Sequence, residues 1–460
     1  MTQRFIMFAL AVGSVAMCAA DSSVNVAADS ISLPAPADVA DIPAPPAKKV
    51  WTFSDCVDWA SVNSTDVRRT LLDILQADQD VASAKDAYLP TVGFSTSHSF
   101  TNYPSPASGQ KGNAYGSNYG ISANWTAWEG NVRKYRLEAS RLLLRQQYLA
   151  QEEAVKSLKL SILQTYINIM YAKEAVEIAE KNLEVSDSET ERAKRLMESG
   201  RTSKVDYAQI ESQNAQDAYS LVEARNNLES ARLTLKNILQ LGLGYDIDVT
   251  EAAFSDTDVL RSLPSPESVF AAASAWLPKF RSNELSRDIY SADVKAAKAG
   301  YLPTVSLQGG LNTGYSTGGA GWGSQMGHNF NENVGVTLSV PIFDGNQTKR
   351  AVAKARLAEL DYDITLKSLQ DDLTQTLEGL YIDSSNAQAK YIAGKSRLEA
   401  ALLTRDLTAR QFELGLVNPL ELLTARNNYI NAQLELLQNK YMAILAAKTL
   451  DYYATREISL

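Results

Sequence analysis

Cysteine, histidine and proline are scarce in this chain: two cysteines, two histidines and 14 prolines in 460 residues. Two cysteines make no disulfide framework, and Cys56 has no partner if Cys18 is acylated or removed, so it reads as a small buried residue on a short helix. The histidines, His98 and His328, lack nearby cysteines or spaced carboxylates, which argues against a metal site. No Gly-rich phosphate loop, HExxH, GxSxG or CxxC occurs. Paired acids such as Asp371-Asp372 fall in a long helical segment, where a solvated face is the ordinary reading. No catalytic, cofactor-binding or metal-ligating residue is therefore assigned, and the chain reads as a non-enzyme without a cofactor. A basic excess is missing too. The net charge is −9, and no Lys/Arg stripe interleaves with aromatics, which excludes a nucleic-acid surface.

Residues 1–20 read as an export signal: Arg4 supplies a thin positive region, Phe5 to Met17 an apolar stretch too short to span a bilayer, and small residues follow. Val15-Ala16-Met17-Cys18 resembles a lipobox in part, with Met17 where the pattern has Gly, Ala or Ser. Cys18 is thus a candidate lipidation site, which would make the chain a lipoprotein. Cleavage after Cys18-Ala19-Ala20 or Val26-Ala27-Ala28 is the competing reading. Residues 21–50, with Pro34, Pro36, Pro43, Pro45 and Pro46, form an Ala/Pro-rich tether with too little apolar surface to fold.

What the chain does have is a repeat about 215 residues long. Tyr88-Leu89-Pro90-Thr91-Val92 returns as Tyr301-Leu302-Pro303-Thr304-Val305, and Trp128-Glu129-Gly130-Asn131 as Phe343-Asp344-Gly345-Asn346. Tyr166-Ile167 returns as Tyr381-Ile382, and Glu198-Ser199-Gly200 as Glu413-Leu414-Gly415. A period this long marks a duplicated half, not a short solenoid.

Within each half, residues 54–87 and their counterpart are helical in character until Pro90 and Pro303, which remove a backbone donor and turn the preceding residue away from helix. The pattern then switches to period two. Val92, Phe94, Thr96, His98 and Phe100 alternate with Gly and Ser; Tyr119, Ile121, Ala123 and Trp125 alternate with Gly, Ser and Asn. In the second half Val305, Leu307 and Leu311, then Val334, Val336, Leu338 and Val340, do the same. This predicts two strands of about ten residues per half, apolar on one face and small-polar on the other, a length and pattern that suit a membrane barrel. The segments 104–117 and 314–332, rich in Gly, Ser and Asn, read as exposed hairpin loops.

Gly130 to Met197 and Gly345 to Phe412 contain no proline and few glycines, predicting helices of roughly 100 Å at 1.5 Å per residue. Leu366, Leu369, Leu373, Leu377 and Leu380, and Val155, Leu158, Ile162, Tyr166 and Ile169, recur at alternating intervals of three and four, a coiled-coil stripe. Gly200 and Gly415 end these helices, and Ser203…Asp206 and Asn418…Glu421 each fit a capping box that starts a returning helix, with Pro419 at its first position. The second return shows heptad spacing at Leu420, Leu423, Asn427, Ile430, Leu434, Leu437, Tyr441 and Ile444. Four strands cannot close a transmembrane barrel, so the open edges require other chains, and three copies give twelve strands.

This layout resembles the TolC family of outer-membrane efflux and secretion channels. The residues that carry the resemblance are Leu89-Pro90-Thr91, Leu302-Pro303-Thr304, Val340-Pro341-Ile342-Phe343-Asp344-Gly345 and the two Gly-centred tips, within a span of 51–453. It implies an α+β membrane protein: a duplicated protomer giving four strands to a trimeric 12-stranded outer-membrane β-barrel and long helices to a periplasmic α-helical barrel. The implied function is a passive outer-membrane exit duct of a tripartite efflux pump or type I secretion system, for small molecules or proteins. The implied partners are two further copies in a homotrimer, a periplasmic adaptor (membrane fusion protein), an inner-membrane RND or ABC transporter, and outer-membrane lipid. The competing reading is a non-channel periplasmic coiled-coil structural or adaptor protein, which the ten-residue alternating strands oppose.

The resulting division is a signal peptide (1–20), the tether (21–50), a first repeat (51–245, with β-hairpin 91–128 and helical hairpin 130–241), a second repeat (246–453, with 303–342 and 345–453) and a tail (454–460). By the same resemblance, Gly200 and Leu414-Gly415-Leu416-Val417 are candidate adaptor contacts. Asp206 and Glu421 match tip acids that narrow or close the periplasmic entrance in relatives, although they also fit helix capping. Val417 stands where a gate arginine is expected and Thr424 where a second acid is, leaving Arg201 and Arg426 as candidate substitutes. Trp125 and Trp128 are candidate interfacial anchors.

Overall fold

A computed structural model describes residues 49–106 and 112–458, together with 46, 108 and 460. The signal peptide, Cys18 and most of the tether lie outside the described residues. The elements in order are β1 (Val50–Trp51), α1 (Phe53–Asn63), α2 (Thr65–Asp86), β2 (Thr91–Asn102), β3 (Asn113–Trp128), α3 (Val132–Glu198), α4 (Lys204–Ile238), β4 (Asp248–Val249), α5 (Asp256–Val259), α6 (Pro266–Trp276), α7 (Pro278–Lys298), β5 (Thr304–Ser316), α8 (Trp322–His328), β6 (Asn331–Ser339), α9 (Gln347–Glu413) and α10 (Pro419–Thr455). Both α3 and α9 are unbroken over 67 residues. Among the described residues no helix is long and apolar enough to cross a membrane.

The chain forms two compact units, and each draws on both repeats. One comprises Asp73–Gln147 and Asn283–Ile364. Its centre is a four-stranded antiparallel sheet in the order β2-β3-β5-β6. Each strand ladder enters its long helix through a Gly-Asn pair in the left-handed region: Gly130 and Asn131 at φ 65° and 67°, Gly345 and Asn346 at 68° and 65°. Asparagine tolerates that conformation better than other side chains, so the repeated Gly-Asn is a backbone requirement that both halves kept. The Trp125 indole donates to the Tyr88 carbonyl at 2.9 Å, and the Arg133 guanidinium donates to Ala87 O at 3.1 Å while lying over the Tyr88 ring. These contacts fix the start of β2 to the end of β3.

Both predicted loops are shorter than their composition suggests. Residues 113–117 belong to β3 and 314–316 to β5, because small residues are what the crowded polar face of the sheet accepts. The second loop also contains helix α8, whose buried Gln325 accepts from Ser316 N and donates to Ser316 O and Ala320 O.

The other unit comprises Tyr148–Ser282, Thr365–Leu460 and the segment ending at Leu72. Its main core joins Trp51, Phe53 and Cys56 to Ile162, Tyr166 and Ile169 of α3, Leu235 and Leu239 at the end of α4, and Tyr441 and Ile444 of α10. Cys56 is fully buried on α1. β1 pairs in parallel with β4, and Tyr166 donates to Thr250 O at 2.8 Å beside that pair. A second core joins Val269, Ala273 and Leu277 to Leu373 and Leu377 of α9 and Leu450 of α10. The predicted leucine stripes are thus covered within the chain by these short elements as well as by neighbouring long helices.

The heptad pattern of α10 holds in its second half, where Leu437, Tyr441 and Ile444 are buried, and fails in the first. There Leu420 and Asn427 are exposed, while Leu422, Ala425, Arg426 and Ala432 are buried. Pairing Arg426 inside the protomer rotates the buried stripe off the heptad.

Candidate channel wall and helical tips

The sheet register sorts the side chains onto two unlike faces. Val92 faces Ala123, Phe94 faces Ile121, Ile121 faces Leu311, and Leu307 faces both Trp125 and Val336, so these residues share one face. Val92, Phe94, Val334, Val336 and Leu338 are each about two-thirds exposed on it. Towards the hairpin loops the same face turns aromatic, with Phe100, Tyr115, Tyr119 and Tyr315 around His98, whose Nδ1 lies 2.7 Å from the Tyr115 hydroxyl. At the opposite end stand Trp125 and Trp128. A bulge between Thr126 and Trp128 shifts the register so that Trp128 opposes Val305, which turns it onto the apolar face. An apolar band bounded by aromatics at both ends is the pattern that lipid imposes on a strand.

The other face holds only small and neutral groups, among them Ser95, Ser97, Asn118, Gly120, Gln308, Asn312, Asn333 and Thr337. Among the described residues no cluster of three or more His, Cys, Asp or Glu is placed to hold a metal.

The two tips share one backbone device. Gly200, at φ 73°, donates to Met197 O while Arg201 N reaches Leu196 O; Gly415, at φ 71°, donates to Phe412 O while Leu416 N reaches Gln411 O. Each is a left-handed glycine closing a helix by paired bonds to the last carbonyls. Ser203 and Asp206 form a full capping box at 3.0 and 3.3 Å. Asn418 caps Glu421 N at 3.0 Å, but the Glu421 carboxylate takes the Asn418 side-chain amide at 2.9 Å, not its backbone N–H. Asn418, unlike Ser203, has an amide N–H of its own to donate, and the Glu421 carboxylate takes it.

Leu414 and Leu416 are exposed and Val417 is half-buried. Arg201, Glu421 and Thr424 are exposed, and Asp206 is half-buried. The Thr424 hydroxyl donates to Leu420 O within its own helix.

Arg426 is different. It is almost fully buried and reaches Asp217 on α4 at 2.7 Å, Glu189 on α3 at 3.1 Å, Ser186 Oγ at 2.9 Å and Asn182 O at 2.6 Å. Burial pushes the Glu189 carboxyl up, against the pull of Arg426. This arginine ties three helices of one protomer together and is not free to serve a gate between protomers. Sequence reasoning missed Asp217, Glu189 and Ser186 because about 200 or more residues separate them from Arg426, and charged residues on a long helix read as solvated.

The model of the outer membrane efflux protein family matches residues 57–240 and again 272–454, most of the chain and one match per repeat. The chain belongs to the outer membrane efflux protein family. It is 23% identical over 378 residues to the outer membrane efflux protein BepC of Brucella suis, covering 81% of this chain and 78% of BepC. It is 22% identical over 391 residues to the outer membrane protein TolC of Escherichia coli, covering 83% and 78%. Its fold matches the crystal structure of a membrane protein from Pseudomonas aeruginosa with a TM-score of 0.72 at 16% identity, covering 90% and 95% of the two chains. As an outer membrane efflux protein it is a passive exit duct for efflux or secretion, sited in the outer membrane and extending into the periplasm. It is not an enzyme.

Proposed function

We propose that this duct is a homotrimer in which three four-stranded sheets close into a 12-stranded β-barrel, with the long helices forming an α-helical barrel across the periplasm. The observation that carries the reading is the open sheet: β2 and β6 have one strand neighbour each, beside an apolar face that water does not satisfy. Four strands fall short of the roughly eight of the smallest transmembrane barrels, and a cyclic trimer satisfies both edges and keeps every protomer equivalent. The apolar face meets lipid, with Trp125 and Trp128 at its periplasmic border, and the neutral face lines the water-filled lumen. A periplasmic spacer or adaptor has no use for such a face.

In this reading the repeats 51–245 and 246–453 each give one strand hairpin and one helical hairpin. Residues 1–20 are the export signal, 21–50 tether the protein to a lipid at Cys18 or form a processed leader, and 454–460 are a tail. The tips at Gly200 and at Leu414-Gly415-Leu416-Val417 contact a periplasmic adaptor, which joins the duct to an inner-membrane transporter of the RND or ABC type. Asp206 and Glu421 narrow the entrance, with Arg201 and Thr424 nearby, while Arg426 holds each protomer's tip helices in place.

Co-purification from solubilised outer membranes tests this. A heat-sensitive trimer carrying an adaptor and a pump is expected. A monomer in the soluble periplasmic fraction would sink the reading.

A further inference from the structure

Four glycines on the neutral face of the sheet lie directly opposite four amides. Gly314 opposes Asn118, Gly120 opposes Asn312, Gly310 opposes Asn333 and Gly335 opposes Gln308. A Cβ added at these glycines would stand 2.6 Å from Asn118 Oδ1, 2.7 Å from Asn312 Oδ1, 2.8 Å from Asn333 Oδ1 and 3.2 Å from Gln308 Nε2. Each amide therefore lies across the neighbouring strand, in the space a side chain there would occupy. Asn312 Nδ2 also donates to Asn333 Oδ1 at 3.1 Å, linking two of the four sideways. Along all four strands this face carries no charged residue; the one charged strand residue, Glu332, opposes Leu311 on the other face.

We propose, resting on the assignment of this face to the lumen, that the strand section of the duct is a wide conduit without a charge filter. Amides folded flat onto glycines form its wall, so cationic and anionic cargo pass it alike and any sign preference of the channel arises outside the strands. Two physical steps lead there. Long polar side chains standing off a wall narrow a bore, and laying them over glycine removes that obstruction. Selectivity by charge needs fixed charge rings along the path, and neutral amides and hydroxyls offer dipoles that turn toward either sign.

The test uses the purified full-length protein in planar bilayers under a KCl gradient. Reversal potentials of a variant with Asp206→Asn and Glu421→Gln set the baseline cation-to-anion permeability ratio. In that background Asn312→Asp is expected to raise the ratio about threefold or more and Asn312→Lys to lower it similarly, as a new charge ring does. Gly310→Val is expected to reduce conductance by lifting Asn333 off the wall. Asp and Lys variants whose ratios equal that of the tip-neutral background would overturn the neutral conduit.

Failure of the underlying face assignment is read separately. Asn312→Cys should be modified by a membrane-impermeant thiol reagent with a drop in current, and Val336→Cys should not. The reverse labelling pattern would refute the lumen assignment itself, and the untreated-cysteine background is the parent protein given the same reagent.

Discussion

The indole N–H of Trp276 donates to the carbonyl of Tyr453 at 3.0 Å, and in the other repeat the indole of Trp59 donates to Leu239 at 2.9 Å. In each case the indole comes from a short helix before the strands, and it ties down the end of the returning long helix. Trp276→Phe removes one such bond while keeping most of the packing, and should cost about 1 kcal/mol. Trp59→Phe should cost about the same. Hydrogen exchange at the last turn of α10 and of α4 reads out each variant separately.

The Arg426 cluster supports a prediction with opposite signs at two carboxylates. Removing one partner of a buried ion pair leaves the other charge uncompensated, so Asp217→Asn and Arg426→Met should each lower stability by about 3 kcal/mol. Glu189→Gln should not. Its carboxyl is held above the ordinary range by burial, so the folded state binds the proton more tightly and its ionisation weakens folding as pH rises through that raised value. The glutamine variant should therefore match or exceed the parent in thermal melts at neutral pH, and its advantage should shrink below the pKa of an unfolded glutamate.

At the tips, Gly200→Ala and Gly415→Ala meet no steric obstacle, since nothing lies within 4 Å of an added Cβ. The cost is that of a left-handed alanine alone, about 1 kcal/mol. Limited proteolysis should show faster cleavage at the altered tip. In adaptor pull-downs, Leu416→Asp should lose more adaptor than Arg201→Asp, because Gly415 stands between the exposed Leu414 and Leu416, whereas Gly200 stands between Ser199 and Arg201.

Asp206→Ala with Glu421→Ala should raise single-channel conductance, by removing acids near the entrance that the proposed trimer brings together. The same change removes an acid from the first turn of two helices while leaving the Ser203 and Asn418 caps in place, with a loss of about 0.5 kcal/mol at each. Unchanged conductance combined with lowered helix stability would assign these acids to capping alone.

Lys395 and the Tyr391 hydroxyl hold the Asp256 carboxyl below its ordinary value of 3.8. This contact supports the fold above that value and is lost as pH falls through the lower folded one. Backbone amides of α5 should lose protection on acidification below pH 3.8 in the parent protein. In Asp256→Asn they should be weakly protected already at neutral pH, with little further change.

The strand hairpins, long helices and glycine tips were legible because each rests on local signals: period-two alternation, absence of helix breakers, and left-handed glycines followed by caps. The buried set of α10 near the tip was not, since the heptad at Leu420 and Asn427 yields to Arg426 seeking acids on α3 and α4. Helix α8 was hidden in a Gly-rich run, where its stability comes from Gln325 bonding back to β5 and not from propensity. The amide-on-glycine pairs were hidden for a related reason. Both members look like ordinary small-polar strand residues until the register sets them opposite one another.

The pairing of β3 with β5 has a consequence for how the protein is made. Ile121 and Leu311, partners in that ladder, lie about 190 positions apart, whereas β2–β3 and β5–β6 are local hairpins. A chain translocated from its N-terminus therefore presents β3 as a bare strand edge, beside an uncovered apolar face, until the second hairpin arrives. Long-range pairings of this kind form late, and open edges are templates for wrong partners. The interval between the two hairpins is when the chain is most open to wrong strand pairing, and slowing translocation within α4 should increase aggregation more than slowing it after β6.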